Sequence, residues 1–338
     1  MKILLYSDCH FSTYSSIIRK RGERFSARLE NLIKSINWAE DLSYNEKCDA
    51  IVCLGDFFDN SIINAEECTA LQEIEWRNIP HYFLVGNHEI SSANTETSSA
   101  HILSLLDRIK IVDRTKSEFF DDCEVCFLPY TQTYDSIAKI FGEQKHKRII
   151  LSHNDISGIN YGAFISQTGF DVDDITNNCD LFLNGHLHNG AKINNCIYNI
   201  GNLTGQNFGE DAFNYTHGAF VLDTENLTVT EHENPYAFNF YKLSIDGDDY
   251  SVLKSLKKNA ILTIKCTEEN CDTIKALFNT NDDIKECRFI VDRKIAVDDE
   301  EKHEFETVDH LKQFIKFVFE NYGQSEAVVS ELSKVCEK

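Results

Sequence analysis

Seven residues in five short clusters have the side chains to hold metal ions. They are Asp8 and His10 in Asp8-Cys9-His10, Asp56 in Gly55-Asp56-Phe57-Phe58-Asp59, Asn87 in Gly86-Asn87-His88-Glu89, His153 in Ser152-His153-Asn154, and His186 and His188 in Gly185-His186-Leu187-His188. Carboxylate, amide oxygen and imidazole together suit Mn²⁺, Fe²⁺ or Zn²⁺. Mg²⁺ and Ca²⁺ want mostly oxygen, and a soft ion wants thiolate. One catalytic zinc needs only three protein ligands plus water. The set here is enough for two ions about 3.5–4 Å apart that share one carboxylate. Such a pair lowers the pKa of a bound water enough to give hydroxide near neutral pH, which is the chemistry of metal-assisted hydrolysis. Singly the clusters are weak signals, since Gly, Asn and Asp are common in turns for backbone reasons. Five in series are not.

Each cluster follows a run that reads as a buried strand: Lys2–Ser7, Ala50–Leu54, His81–Val85, Arg148–Leu151 and Asp180–Asn184. A short apolar, β-branched or aromatic run that stops at Gly, Asn or Asp is a strand followed by a loop. A rigid sheet holds such loops in register, and ligands gather at strand ends for that reason.

Asp-x-His, Gly-Asp-x-x-Asp, Gly-Asn-His-Glu, a lone His after a strand and Gly-His-x-His, in that order, resemble the calcineurin-like metallophosphoesterase family over residues 1–232. The resemblance implies an α/β fold, a β-sandwich flanked by helices with a dinuclear site at the strand ends. It implies that Asp8, His10, Asp56 and His188 hold one ion and that Asp56, Asn87, His153 and His186 hold the other, with Asp56 as the bridge. The expected ions are Mn²⁺, with Mg²⁺, Fe²⁺ or Zn²⁺ as alternatives. His88 is expected to face the phosphate and protonate the leaving oxygen. Glu89 stands where many relatives have Asp, and a carboxylate there would orient His88 and keep it protonated. Asp59 is expected to be structural.

Composition sets the surroundings. The 338 residues carry 55 acidic and 33 basic side chains, a formal charge of −22. A protein that grips DNA by itself normally has a basic face, because phosphate neutralisation supplies most non-specific affinity. Two local basic clusters stand out: Arg19-Lys20-Arg21 with Arg24 and Arg28, and Lys145-His146-Lys147-Arg148. The first could face substrate or form a solvated helix face. No run reaches the ~18 apolar residues of a membrane span. Met1 leads straight into a strand, and twelve irregularly spaced cysteines fit a reducing compartment. The expectation is a cytoplasmic protein (the host cytoplasm if viral). Cys123 and Cys126 form an isolated C-x-x-C inside a strand-like segment.

Beyond Asn234-Pro235, residues 235–300 read as a compact strand–helix–strand capping unit, followed by the acidic linker Asp298-Asp299-Glu300-Glu301. In 303–338, Val308, Leu311, Phe314, Ile315, Val318, Phe319 and Tyr322 fall at helical spacing on one face. That stripe packs on its own core or docks on a partner. Core, cap and C-terminal helices together resemble the SbcD family and its bacteriophage relatives. This second resemblance implies a DNA nuclease in recombination and repair, exo- or endonucleolytic, with DNA and an SbcC-type coiled-coil ATPase as partners and a homodimer within the complex. The alternative is a stand-alone phosphatase or small-molecule phosphodiesterase. A non-catalytic scaffold is disfavoured by the complete ligand set.

Overall fold

The computed structural model describes residues 1–14, 21–92, 94–120, 122–159, 165–245, 247, 250–278 and 283–292. The helices expected in 303–338 and the acidic linker before them lie outside the described residues, as do Arg19 and Lys20. Strands β1 (Lys2–Tyr6), β2 (Ala50–Cys53), β3 (His81–Leu84) and β4 (Ile109–Val112) run parallel in that order, and β11 (Gly218–Asp223) and β12 (Thr228–Glu233) add antiparallel beside β1. A second six-stranded sheet runs β5 (Lys116–Phe120), β6 (Cys123–Leu128), β7 (Lys147–Ser152), β8 (Leu181–Asn184), β10 (Ile197–Asn199) and β9 (Ala191–Lys192), parallel from β6 through β10. The expected mixed α/β sandwich with flanking helices is therefore present.

Strand periodicity divides the apolar residues into layers. Ile3 and Leu5 of β1 join Val52, Tyr82, Phe127, Leu151 and Leu183 in a core between the two sheets. Leu4 and Tyr6 point the other way, onto Leu29, Leu32 and Ile36 of helix α1 (Ala27–Asn45). On the outer face of the second sheet, Ile150 and Phe182 pack under Ile137 of α3 (Ile137–Phe141) and Ile175 of α4 (Val172–Asn178). Central strands covered on both faces read as unbroken apolar runs for this reason. The short α2 (Ala65–Ala70) lies between β2 and β3. The start of α1 is fixed by Ser26, whose hydroxyl accepts from Leu29 N.

The C-x-x-C cysteines land in different layers, Cys123 between the sheets and Cys126 outside them. Residues three apart on a strand face opposite ways, so they do not form a pair. Cys179 and Cys196 do meet, with sulfurs 3.7 Å apart.

The capping segment has one strand more than the sequence suggests. β13 (Asn239–Ile245), β14 (Ala260–Thr267) and β15 (Ile284–Asp292) form a parallel sheet, with α5 (Glu268–Phe278) crossing between the last two. Residues Met1–Asp292 are one compact unit. The cap is sewn to the core through Phe238, Phe240 and Ile261, which pack with Ala27 and Phe208. Asn31 adds a hydrogen bond to the Tyr236 carbonyl at 2.6 Å.

Behind the second sheet, Arg148 is 1% exposed and donates to Glu124 at 2.8 Å and to the carbonyls of Gly142 and Phe141. Removing one partner of a buried pair strands the other charge. Glu124→Gln should cost about 3–5 kcal/mol of unfolding free energy, read as a lowered urea midpoint with an unchanged slope.

Candidate metal centre

Because β1, β2 and β3 are parallel and β7 and β8 are parallel, each trio or pair delivers its following loop at one end. The loops then continue the pairing beyond the strands: Asp8 N donates to Gly55 O at 3.1 Å and His10 N to Asp56 O at 3.0 Å. Two further contacts join the sheets across the site. His153 Nδ1 donates to Leu54 O at 2.7 Å, and His186 N to Asp8 Oδ2 at 2.9 Å. Asp8, His10, Asp56 and His186 all have positive φ, between 47° and 75°. That region is costly for residues with a Cβ, and it clusters where surrounding structure enforces it. Gly55 (φ 112°) and Gly86 are required sterically, since a Cβ would strike the His153 ring at the first and the Asp56 carboxylate at the second.

The expected donors converge. Three groups place one donor atom per residue within 4.8 Å of each other: Asp8, His10 and His188; His10, Asp56 and His88; Asp56, His153 and His186. Asp56 lies between the two ends, with Oδ2 3.1 Å from His153 Nε2 and 3.9 Å from His10 Nε2. The buried atoms Asp8 Oδ1 and Asn87 Oδ1 have no hydrogen-bond partner. A buried polar atom without a partner is rare and costly, and these orphans are the atoms a metal would take.

The far nitrogens of the rings are held in the manner typical of metal-binding imidazoles. His10 Nδ1 faces Asp59 Oδ1 at 3.0 Å and His188 Nδ1 faces Glu210 Oε1 at 3.1 Å. Both rings can donate from Nδ1, and their Nε2 atoms, 3.1 Å apart, turn toward the same point. The residues present therefore fit two divalent ions, with Asp56 shared.

Electrostatics agree. Burial works against ionisation of Asp56, yet His153, His10 and His88 pull its pKa well below the usual carboxylate range. Burial likewise opposes a charge on His153, but Asp56, then Asp8 and the Leu54 carbonyl, lift it to about 9. Burial wins at His10 and lowers its pKa despite Asp59. At His188 it loses to Glu210, which raises it.

Two expectations need correction. Glu89 does not reach His88. It is fully buried, accepting from Phe58 N at 3.1 Å and Gly86 N at 2.8 Å, so it staples the Asp56 and Asn87 loops together. The extra methylene lets the carboxylate fold back on these backbone donors. Asp59 takes the orienting role instead, its carbonyl 3.1 Å and its carboxylate 3.7 Å from His88 Nδ1. Arg21, Arg24, Arg28 and Lys147 of the basic clusters are engaged within the fold. Arg21 pairs with Glu66 and Arg24 with Glu73, while buried Arg28 braces the His10 carbonyl. Lys147 caps the Thr224 and Glu225 carbonyls. The sequence reading missed Glu210 and Asp155, the latter 3.3 Å from His186 Nε2. Neither belongs to a motif; only its place one residue after Ser-His-Asn marks Asp155.

A family model described as calcineurin-like phosphoesterase matches residues 1–222, and the chain belongs to that family. It is a metal-dependent phosphoesterase. No curated protein matches it. Among solved structures it is similar to a dimetal phosphatase from Danio rerio (11% identity, 65% of this chain and 91% of that one, TM-score 0.37). It is also similar to a phosphoesterase from E. coli (12%, 69% and 100%, TM-score 0.31) and a metallophosphoesterase from Sphaerobacter thermophilus (18%, 69% and 88%, TM-score 0.31). None of these three is named a nuclease, and at these TM-scores they carry no information on substrate.

Two outcomes follow from the shared carboxylate and from His153. Asp56→Asn should lose both ions while His10→Ala loses chiefly one, by metal analysis of the purified variants; two tightly held ions in Asp56→Asn would exclude the bridge. Without metal His153 keeps its proton up to about pH 9, and a metal must displace it. Metal uptake near pH 7.5 should therefore release protons into a weakly buffered dye solution, and affinity should fall as pH drops below about 9. His153→Gln should remove that share of the release.

Proposed function

We propose that the protein hydrolyses phosphodiesters and that its substrate is DNA, processed with an SbcC-type coiled-coil ATPase. The observation that carries phosphodiester cleavage is His88. Its backbone N–H is fixed on Asp56 Oδ1 at 2.9 Å, while its ring stands 44% exposed at the rim, edge-on to His10. With Nδ1 turned to Asp59, Nε2 is left for substrate. An alkoxide leaving from a phosphodiester needs a proton. Two bound ions would supply an activated water and neutralise the phosphate oxygens. Asp59 and Glu210 hold imidazoles in place, and Glu89 fixes the two loops that carry Asp56 and Asn87.

DNA as substrate is supported by the sequence architecture of core, cap and C-terminal apolar stripe. The acidic chain, with Arg21, Arg24 and Arg148 already paired to carboxylates, leaves the DNA grip to a partner. The same pairings favour a second reading, a stand-alone phosphoesterase acting on small phosphodiesters without any partner.

The experiment uses purified protein with Mn²⁺ on linear duplex DNA and on bis(p-nitrophenyl) phosphate, with and without the ATPase. DNA cleavage that rises with the ATPase supports the proposal. Hydrolysis of the aryl ester with DNA untouched in both cases overturns it in favour of the second reading. His88→Ala should lose roughly 10²–10⁴-fold on DNA and less on the aryl ester, whose leaving group needs little protonation. Equal losses would leave His88 only a phosphate-binding role. Deleting 303–338 should spare aryl ester hydrolysis and abolish co-purification with the ATPase.

A further inference from the structure

Segment 202–212 touches both the metal centre and the cap. It runs beside two ligand loops: Asn202 N donates to His188 O at 3.1 Å and Leu203 N to Ser7 O at 3.0 Å. Gln206 Nε2 reaches the carbonyls of Asp8 and Cys9, at 3.2 and 3.0 Å. Its other side belongs to the cap. Gly205 N donates to Phe238 O at 3.1 Å, Ala212 N to Phe240 O at 2.9 Å, and the Phe208 ring meets Phe240 edge-on.

Glu210 is the centre of the segment. Its carboxylate is 1% exposed and accepts from His188 Nδ1 at 3.1 Å, Asn202 Nδ2 at 3.0 Å and Gln206 N at 2.9 Å. No Lys or Arg pairs with it among the described residues. His217 Nε2 lies 3.7 Å away, and burial lowers the pKa of that ring. A buried anion held by several donors fixes each donor's direction, because losing any one exposes the charge to an apolar surround. For His188 the consequence is chemical. Nδ1 must carry a hydrogen, so Nε2 is the nitrogen turned toward His10 Nε2 and the ion site.

The contacts are one-sided. Those just given reach the backbone of Ser7, Asp8 and Cys9 and the ring and backbone of His188, and none reaches Asn87, His153 or His186. We infer that Glu210 is a positioning residue for one ion only, that of Asp8, His10 and His188, and that segment 202–212 couples this half of the centre to the capping sheet. The inference rests on the two-ion reading. It makes the cap a determinant of metal occupancy, so a partner that shifts the cap alters one ion and spares the other.

The test is metal binding rather than turnover. Wild type, Glu210→Ala, Glu210→Gln, Phe208→Ala and Glu124→Gln are titrated with Mn²⁺, with occupancy read by metal analysis and the ion pair by its exchange-coupled EPR signal. Glu210→Ala should keep one ion and bind the second about 10–100-fold more weakly, replacing the coupled signal by that of an isolated ion. Glu210→Gln keeps an oxygen for His188 and should recover much of the loss. Phe208→Ala contacts no ligand and should weaken the same ion by less. Glu124→Gln destabilises the fold far from the site and should bind two ions normally. Two ions held equally tightly by wild type and Glu210→Ala overturn the assignment alone, as does equal weakening of both ions. A wild type that binds a single ion overturns the two-ion reading and this assignment with it.

Discussion

Everything at the site follows from burying two carboxylates close together. Asp8 is 0% and Asp56 2% exposed, and neither has a Lys or Arg beside it among the described residues. Taking a carboxylate out of water costs several kcal/mol in a real protein, even after relaxation and water penetration. Imidazoles compensate only in part, since a neutral ring brings no charge and a protonated one cannot ligate. Asp8 Oδ1 is left without a hydrogen-bond partner. Two divalent cations supply the missing positive charge, and the donors that would receive them are already in place. The site is thus assembled as an anion trap whose complement is metal.

Holding that arrangement requires backbone geometry the chain would otherwise avoid. Four site residues lie in the left-handed region, each costing of order 1–3 kcal/mol. The strain persists because the loops are tied to one another as tightly as strands are: Asp8 to Gly55, His10 to Asp56, Phe58 to Glu89. The hydrogen bonds between His153 and Leu54 and between His186 and Asp8 matter further, since they join the two sheets at the site itself. Sliding one sheet over the other would break the ligand set before it disturbed much of the inter-sheet core.

The ligand strands were legible because both their faces are covered, which leaves no polar residue to blur the run, and because each stops at a loop with Gly, Asn or Asp. The Lys2–Ser7 run ends one residue early, at Tyr6, and its neighbours differ as little. What the sequence could not show was direction. Glu89 adjoins His88 in the chain, yet its carboxylate turns back to Phe58 and Gly86. Asp59, distant in sequence, is the group that faces the ring. Glu210 was invisible for the same reason. Its role depends on a loop fold stitched to the cap, and β13, the strand that does the stitching, follows a proline that reads as a boundary. Arg21, Arg24 and Arg28 looked like a patch only because the carboxylates that neutralise the first two come from Glu66 and Glu73.

The two substrate readings share their chemistry and differ in where binding energy originates. With two dications among Asp8, Asp56, Asp59, Asp155 and Glu210, the positive potential is confined to the ions themselves. Salt screens it within about 8–10 Å at physiological strength. A field of that range would capture one phosphate and place it against His88. It does not hold the many successive phosphates on which duplex affinity depends, and the −22 surface repels them. A small phosphodiester asks nothing more of the protein than the ions and the rim provide. Duplex DNA does, and on the nuclease reading the additional contacts would fall to other parts of this chain or to a partner.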